Sequence, residues 1–265
     1  MKKIGIDAGG SFLKIVYQEN DAIHKKVYPN EQTTEAVNWL KWLVPDSEIA
    51  VTGGRAEELE YQFGKNIVKV PEFSAIEKGT EFIVSSEIKK PIEKYLMVMA
   101  GTGTSLFHME NGVSKRLLGT GLGGGTFVGL GSILTNEDDY GKLTCMAKKG
   151  DRSLVDLMVS DIYSDCDSPL PKDLTASNFG KAGSENKNRE SLAAALANMI
   201  AENLSLLILQ AVGSLKVEDV IFLGGAFYEN PVLKDYTARY HQQAGITPHF
   251  PASGRWTGAI GAMLS

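Results

Sequence analysis

The stretch Ile4-Gly5-Ile6-Asp7-Ala8-Gly9-Gly10-Ser11-Phe12-Leu13-Lys14 decides how the chain is read. An apolar strand ends on a carboxylate, a turn of small residues follows, and a second strand carries a lysine. That arrangement can hold a polyphosphate. With no side chains at Gly9 and Gly10, backbone N–H groups can close on phosphate oxygens, while Asp7 can hold a hydrated Mg2+ against them. Lys14 adds attraction of about 4 kcal/mol per unit charge at roughly 4 Å and an effective dielectric of about 20. The plain alternative is a hairpin whose Ala8-Gly9-Gly10 merely turns the chain, with Asp7 and Lys14 solvated. Ala100-Gly101-Thr102-Gly103-Thr104-Ser105 favours the first reading, because it repeats the design after another apolar strand, with hydroxyls beside the glycines. Two such hairpins from two half-chains imply one nucleotide held between them.

The richest stretch, Gly119-Thr120-Gly121-Leu122-Gly123-Gly124-Gly125-Thr126, leads into an apolar helix that begins with Phe127 and Val128. It contains GxGxxG at Gly119, Gly121 and Gly124. A dinucleotide site is rejected, because that motif opens a βαβ unit with an acid ending its second strand, whereas Asp138 and Asp139 sit in a polar turn after the helix. A glycine-lined helix N-terminus offering free N–H groups suits ATP phosphates equally well. No G-x-x-x-x-G-K-[ST] occurs, which excludes a P-loop enzyme. A last strand at 220–223 runs into Gly224-Gly225, where a flat adenine or ribose could lie against bare backbone. A tight strand-to-helix turn explains that pair as well.

Two acids surround a helix start in Val70-Pro71-Glu72-Phe73-Ser74-Ala75-Ile76-Glu77. Ser74 and Glu77 have the spacing of a capping box, which gives Glu77 a structural role and leaves Glu72 unexplained. Glu72 could accept the proton of an attacking alcohol in a phosphoryl transfer, although a loose transition state makes positioning matter more than basicity. Its bland reading is a surface carboxylate near a helix dipole. Arg116 lies between the second hairpin and the long glycine loop. It could bind a substrate carboxylate through two parallel hydrogen bonds, bind phosphate oxygens, or be a solvated edge-strand charge beside Lys115. Tyr140 could stack on a ligand or cover the core. The four histidines form neither HExxH nor a cluster, so catalytic zinc and a Ser-His-Asp triad have no support.

At 265 residues the chain makes one large domain or two of moderate size. Hydrophobic residues at 43% and charged residues at 22% exclude a disordered, collagen-like or coiled-coil protein. A net charge of -5 argues against a nucleic-acid partner. Cys145 and Cys166 are too far apart for a CxxC pair, and so few thiols fit a reducing cytoplasm. The N-terminus has no stretch apolar enough for a signal peptide, and the apolar segment 191–213 is broken by Asn198, Glu202 and Asn203, so no membrane association is expected. The Asn203-Leu204-Ser205 sequon inside it is read as chance.

Strands are expected at 3–6, 13–18, 23–28, 49–52, 67–70, 95–100, 105–109 and 220–223, and helices at 33–44, 74–88, 126–134, 192–215 and 256–264. The order strand, strand, strand, helix, strand restarts near residue 95, after the Lys89-Lys90-Pro91 break. The fold class is therefore α/β, with two related lobes at 1–93 and 94–265 and a surface loop at 184–190.

These residues resemble the type II pantothenate kinases, within the superfamily of acetate and sugar kinases, heat-shock chaperone ATPases and actin. The resemblance covers nearly the whole chain. It rests on Gly5-Ile6-Asp7-Ala8-Gly9-Gly10 with Lys14, Glu72-Phe73, Gly101-Thr102-Gly103-Thr104-Ser105, and the glycine-rich run from Gly119 to Gly131. Gly150-Asp151-Arg152, the stretch 173–180 and Gly258-Ala259-Ile260-Gly261-Ala262 also match. It implies two ribonuclease-H-like lobes with ATP in the cleft, a homodimer, and transfer of the γ-phosphoryl group to the primary hydroxyl of pantothenate, the first step of coenzyme A synthesis. By that resemblance Asp7, Ala8, Gly9, Gly10, Ser11, Phe12, Leu13 and Lys14 hold Mg2+ and phosphates, with Asp7 reaching the metal through water. Thr102, Gly103, Thr104, Gly121, Gly123, Gly124, Gly125, Thr126, Phe127, Val128, Tyr140 and Gly225 contact ATP. The same resemblance implies that Glu72 is the proton acceptor and that Arg116 binds the pantothenate carboxylate. Two departures stand out: Ser11 replaces the usual threonine, and Gly225-Ala226 replaces serines of some relatives. The rivals are a sugar or amino-sugar kinase of the same fold and an ATP-hydrolysing switch. Against the first, the chain lacks the zinc-binding cysteine cluster common in one large sugar-kinase group and Arg116 suits an anionic substrate better than a neutral one; the second leaves Glu72 idle.

Overall fold

The computed structural model describes residues 3–20, 22–43, 48–63, 67–163, 168–185 and 187–265. The first lobe runs β1 (Ile4–Ala8), β2 (Phe12–Glu19), β3 (Ala22–Pro29), α1 (Thr33–Leu43), β4 (Ile49–Thr52), α2 (Ala56–Phe63), β5 (Ile67–Lys69) and α3 (Glu72–Glu87). The second begins β6 (Lys94–Ala100), β7 (Thr104–Glu110), β8 (Val113–Thr120), α4 (Gly124–Thr135), α5 (Tyr140–Lys149), β9 (Leu157–Met158), α6 (Val159–Ile162), β10 (Thr175–Ser177) and α7 (Arg189–Leu215). It ends β11 (Asp219–Leu223), α8 (Pro231–Gln243), β12 (Thr247–His249) and α9 (Thr257–Met263).

The two main sheets share one topology. Their orders are β3-β2-β1-β4-β5 and β8-β7-β6-β11-β12. In each, a three-stranded antiparallel meander continues through two parallel strands. Parallel neighbours need crossovers, which helices supply. The duplication extends to single atoms at the strand ends. Gly53 after β4 and Gly224 after β11 have φ of 94° and 92°. A Cβ would lie 2.5 Å from the Ala8 carbonyl oxygen at the first and 2.2 Å from that of Ala100 at the second. The same carbonyls then accept from Arg55 N–H at 3.1 Å and Ala226 N–H at 3.0 Å. The glycine pairs at 53–54 and 224–225 are one device used twice, since only glycine combines a positive φ with so close an approach.

Between the sheets lie α3 and α9. Ile76 and Ile83 of α3 and Ala259, Ile260 and Met263 of α9 share a core with Met97 and Phe107 of the second sheet. The chain's last helix also returns to β1 of the first sheet. Glycines permit this crossing: a Cβ on Gly261 would sit 1.7 Å from the Ala75 oxygen, one on Gly79 2.0 Å from the Thr257 oxygen, and one on Gly5 2.0 Å from the Ala259 oxygen.

Several expectations need correction. Strand β8 is missing from the expected strands, because Val113-Ser114-Lys115-Arg116 is polar and exposed, and only the edge-strand reading of Arg116 pointed to it; Gly119 and Thr120 belong to it rather than to a loop. Helices α2, α5 and α8 were also missed. Ser74 is not a cap: α3 starts directly after Pro71, with no side-chain cap, and the Glu77 carboxylate accepts a hydrogen bond from Ser114 of β8 instead. Arg189 and Glu190 open α7 rather than close a loop, with Asn188 as its N-cap. By length and hydropathy α7 can cross a membrane despite Asn198, Glu202 and Asn203, yet 61% of its most apolar window is buried in the protein. Val44, Cys166 and Asn186 lie outside the described residues.

Candidate active site

Asp7 and Lys14 face each other in the β1–β2 register, and Lys14 Nζ donates to Asp7 Oδ2 at 2.9 Å. Glycines clear the space around this carboxylate. A Cβ on Gly53 would be 2.9 Å from Asp7 Oδ1, and one on Gly258 3.0 Å from its Cγ. The following turn is tighter than expected. Gly9 N–H is not free for a phosphate, because it donates to Phe12 O at 3.1 Å. Asn30, which sequence reasoning missed, buttresses the turn by donating to the Gly10 carbonyl at 2.7 Å and the Gly9 carbonyl at 3.3 Å.

The two hairpin turns meet. Ser11 Oγ lies 3.3 Å from Thr102 Oγ1, and a Cβ on Gly10 would be 3.0 Å from the same Thr102 atom. Residues 91 apart in sequence thus face one another across the lobes. The second turn is also fastened to α4. Gly124 N–H donates to Gly101 O at 2.8 Å and Gly125 N–H to Thr102 O at 2.9 Å. These two donors are therefore not free, which corrects the picture of an open helix N-terminus. Their neighbourhood needs glycine for packing: a Cβ on Gly123 or Gly125 would be 2.7 Å from atoms of Thr102, and one on Gly103 2.9 Å from Thr120 O. Gly101, Gly121 and Gly225 differ, since no atom of the described residues lies within 4 Å of a Cβ at any of them.

Four of the expected nucleotide contacts turn their side chains inward. Ala8, Leu13, Thr104 and Phe127 are buried, and the Thr104 hydroxyl donates to Leu122 O at 2.7 Å. Any approach of a ligand to these four is through backbone. Thr126 Oγ1 donates to Gly121 O at 2.6 Å, while Val128 packs partly buried against the second-lobe core. Tyr140 does cover the core, with its ring edge-on to Phe127 at 5.5 Å. Its hydroxyl donates to the Ala226 carbonyl and accepts from Asn230 Nδ2, and burial pushes its pKa to about 12. Gly124 lies 3.7 Å, measured from its would-be Cβ, from the Tyr140 ring and 3.8 Å from Ala226. The glycine loop, Tyr140 and the Gly225 turn are thus brought together.

Glu72 is the first residue of α3 and solvent-accessible. Desolvation, then the nearby Asp7 charge, raises its pKa above the ordinary glutamate value, with Lys14 opposing. The carboxylate therefore shares the electrostatic field of the Asp7–Lys14 pair. Next to it, the exposed Phe73 ring meets Phe107 of β7 edge-on at 5.7 Å, and Phe107 pairs with Arg116 on β8. Arg116 is exposed and lies along Gly119, where a Cβ would be 2.3 Å from Nη2; Ser105 Oγ is 3.5 Å away. The start of α3, through Phe73, thus packs on the hairpin of the second sheet that carries Arg116. Among the described residues no three His, Cys, Asp or Glu side chains cluster as a metal cage. Asp7 in its glycine-lined recess suits a hydrated Mg2+ carried in on phosphates, which needs only one or two carboxylates. A cavity of about 500 Å3 lies elsewhere, at the C-terminal end of α3 among Glu81, Ile88, Lys90 and Tyr95, and contains none of these residues.

The Fumble family model matches residues 30–265. A type II pantothenate kinase of Oceanobacillus iheyensis is 44% identical over 266 residues, covering 100% of both chains. One of Bacillus thuringiensis is 36% identical, covering 98% of this chain and 96% of its own. Among solved structures, component A of the (R)-2-hydroxyglutaryl-CoA dehydratase of Acidaminococcus fermentans superposes with a TM-score of 0.67 at 17% identity, covering 100% of this chain and 96% of that one. The likeness in structure shows the two-lobe fold, and the likeness in sequence, spanning the glycine turns, Glu72 and Arg116, shows that the chain belongs to the type II pantothenate kinase family.

Proposed function

We propose that Glu72 is the proton acceptor of this pantothenate kinase and that the facing hairpin turns hold the triphosphate of ATP between them. The observation that carries the reading is the meeting of Ser11 and Thr102 beside Asp7, with Glu72 in the same electrostatic field. Glu72 takes the proton of the primary hydroxyl of pantothenate as that oxygen attacks the γ-phosphorus, and the bond from this phosphorus to the β–γ bridging oxygen breaks. Arg116 holds the pantothenate carboxylate at a distance from the reacting oxygen, where a charge-assisted pair orients the chain. Asp7 would anchor a hydrated Mg2+, which would neutralise phosphate charge, and Lys14 keeps the Asp7 carboxylate oriented. The adenosine lies against Gly121 and Gly225, which leave its faces room, beside Gly124 where that residue packs on Tyr140.

The lobes divide at 93/94, with α9 crossing back to the first sheet. In a cytoplasmic homodimer, second-lobe helices supply the interface: Ile133 on α4 and Leu206 on α7 are exposed apolar side chains that would be covered there. The test supplies Mg-ATP with pantothenate, N-acetylglucosamine or no acceptor and identifies the product by mass. Phosphopantothenate is expected. Phosphorylated amino sugar, or hydrolysis indifferent to either acceptor, refutes the reading.

A further inference from the structure

Arg255 is a buried cation that the scheme above leaves without a task. It precedes α9 and follows Gly254, whose carbonyl accepts from Gly224 N–H at 2.7 Å. Its side chain is only 10% exposed. A guanidinium carries five donors, and one removed from water needs acceptors for them. Its one ion pair among the described residues is long, 3.7 Å from Nη1 to Glu229 Oε1, and the Glu229 side chain is 66% exposed. Nε is buried with no hydrogen-bond partner among the described residues. Aromatic faces surround the group instead, with ring centroids of Phe12 at 5.2 Å, Tyr228 at 5.1 Å and Trp256 at 5.9 Å. Such faces attract a cation without satisfying its in-plane donors.

The location gives this deficit a meaning. Phe12 opens β2 two residues before Lys14, so both project from the same sheet face. Gly258, three residues after Arg255, abuts the Asp7 carboxyl group. Tyr228 belongs to the turn that follows Gly224-Gly225, and Tyr140 lies close enough to feel the Arg255 charge. Arg255 therefore stands between the first lobe's turn and the second lobe's adenosine side. Lys14 is already matched by Asp7, whereas among the described residues Arg255 has only a distant, solvated ionic partner.

We propose that Arg255 is a phosphate-anchoring residue: its guanidinium, flanked by Phe12 and Tyr228, donates to the polyphosphate chain of the bound nucleoside triphosphate. This rests on reading the two glycine turns as the nucleotide site, but not on the identity of the acceptor. The competing role is a strut that joins the lobes through Glu229 and the aromatic rings.

Calorimetric binding of ATP, ADP and adenosine to the full chain, with Mg2+ and without acceptor, separates the two. Arg255→Gln should weaken ATP by about tenfold to a hundredfold, ADP by less, and adenosine by no more than about twofold. Glu229→Gln should leave ATP affinity within about twofold or tighten it, because it releases the guanidinium. Equal weakening of ATP and adenosine, an Arg255→Gln affinity for ATP within about twofold of the parent, or a Glu229→Gln variant that copies Arg255→Gln would each overturn the proposal. If Arg255→Gln is too unstable for calorimetry, the thermal stabilisation by ATP relative to adenosine reads the same ratio in the fraction that folds. A parent protein that fails to bind ATP overturns this proposal and the proposed function together. One that binds ATP but leaves pantothenate untouched overturns the function alone, and Arg255→Gln still decides the anchor.

Discussion

Glu72→Gln isolates the proton acceptor, because it removes the base while keeping the size of the side chain and its ability to hydrogen-bond. General bases contribute about 10²–10⁴ in rate. Glu72 belongs in the lower half of that range, since it is accessible at the start of α3 and a loose transition state gives up its proton late. A fall in kcat of about 10²–10³ is expected, equal to roughly 2.7–4 kcal/mol of transition-state stabilisation at about 1.36 kcal/mol per decade. The raised pKa of Glu72 adds a signature. Wild-type turnover should fall on acidification through a pKa above the usual glutamate value, and this limb should vanish in Glu72→Gln. The linked stability has the opposite dependence. A carboxyl whose folded-state pKa is raised stabilises the fold most below its unfolded pKa, and that contribution is lost as pH rises through the folded value. Glu72→Gln should therefore melt higher than the parent at neutral pH, with the gap closing in acid. The assay is initial phosphopantothenate formation across pH 4.5–8, with ATP binding measured alongside. A kcat within about threefold of the parent and an unchanged acid limb would refute the role, provided ATP binds normally.

Arg116→Ala should raise the KM for pantothenate by about tenfold to a hundredfold while largely sparing kcat, and Arg116→Lys should recover only part, because lysine cannot form the parallel pair. An unchanged KM would place carboxylate recognition elsewhere. Gly261→Ala forces a Cβ to within 1.7 Å of the Ala75 oxygen, so α3 and α9 must part; a loss of at least about 1–3 kcal/mol is expected, read as a Tm lowered by roughly 2–4 °C per kcal/mol. A melting temperature equal to the parent's would refute so close a crossing of α3 and α9.

Local signals were legible where one short segment carries the whole cause. The hairpins at Gly9-Gly10 and Gly101–Gly103 follow from glycine at the end of an apolar strand, and β4 was read at its observed bounds of Ile49–Thr52. Strand β8 was not legible, because an exposed edge strand such as Val113-Ser114-Lys115-Arg116 carries little apolar alternation. The Ser74–Glu77 spacing misled for a related reason: a cap motif is local, but Glu77 is claimed by Ser114, which reaches it only in the folded chain. No sequence pattern marked Asn30 or Arg255, whose surroundings are assembled from distant segments.

The amino-acid sequence alone determined the α/β class, the repetition of a strand-turn design in two halves, and a kinase-like set of turns with Glu72 and Arg116 as unexplained charges. Tertiary structure alone decided that the turns at Ser11 and Thr102 touch, that Gly9, Gly124 and Gly125 spend their N–H groups inside the protein, and that α9 returns to the first sheet. The division has one physical cause. Turn geometry and hydrophobic period are properties of neighbouring residues, whereas the partner of each donor and charge depends on which remote backbone the glycines allow to come close.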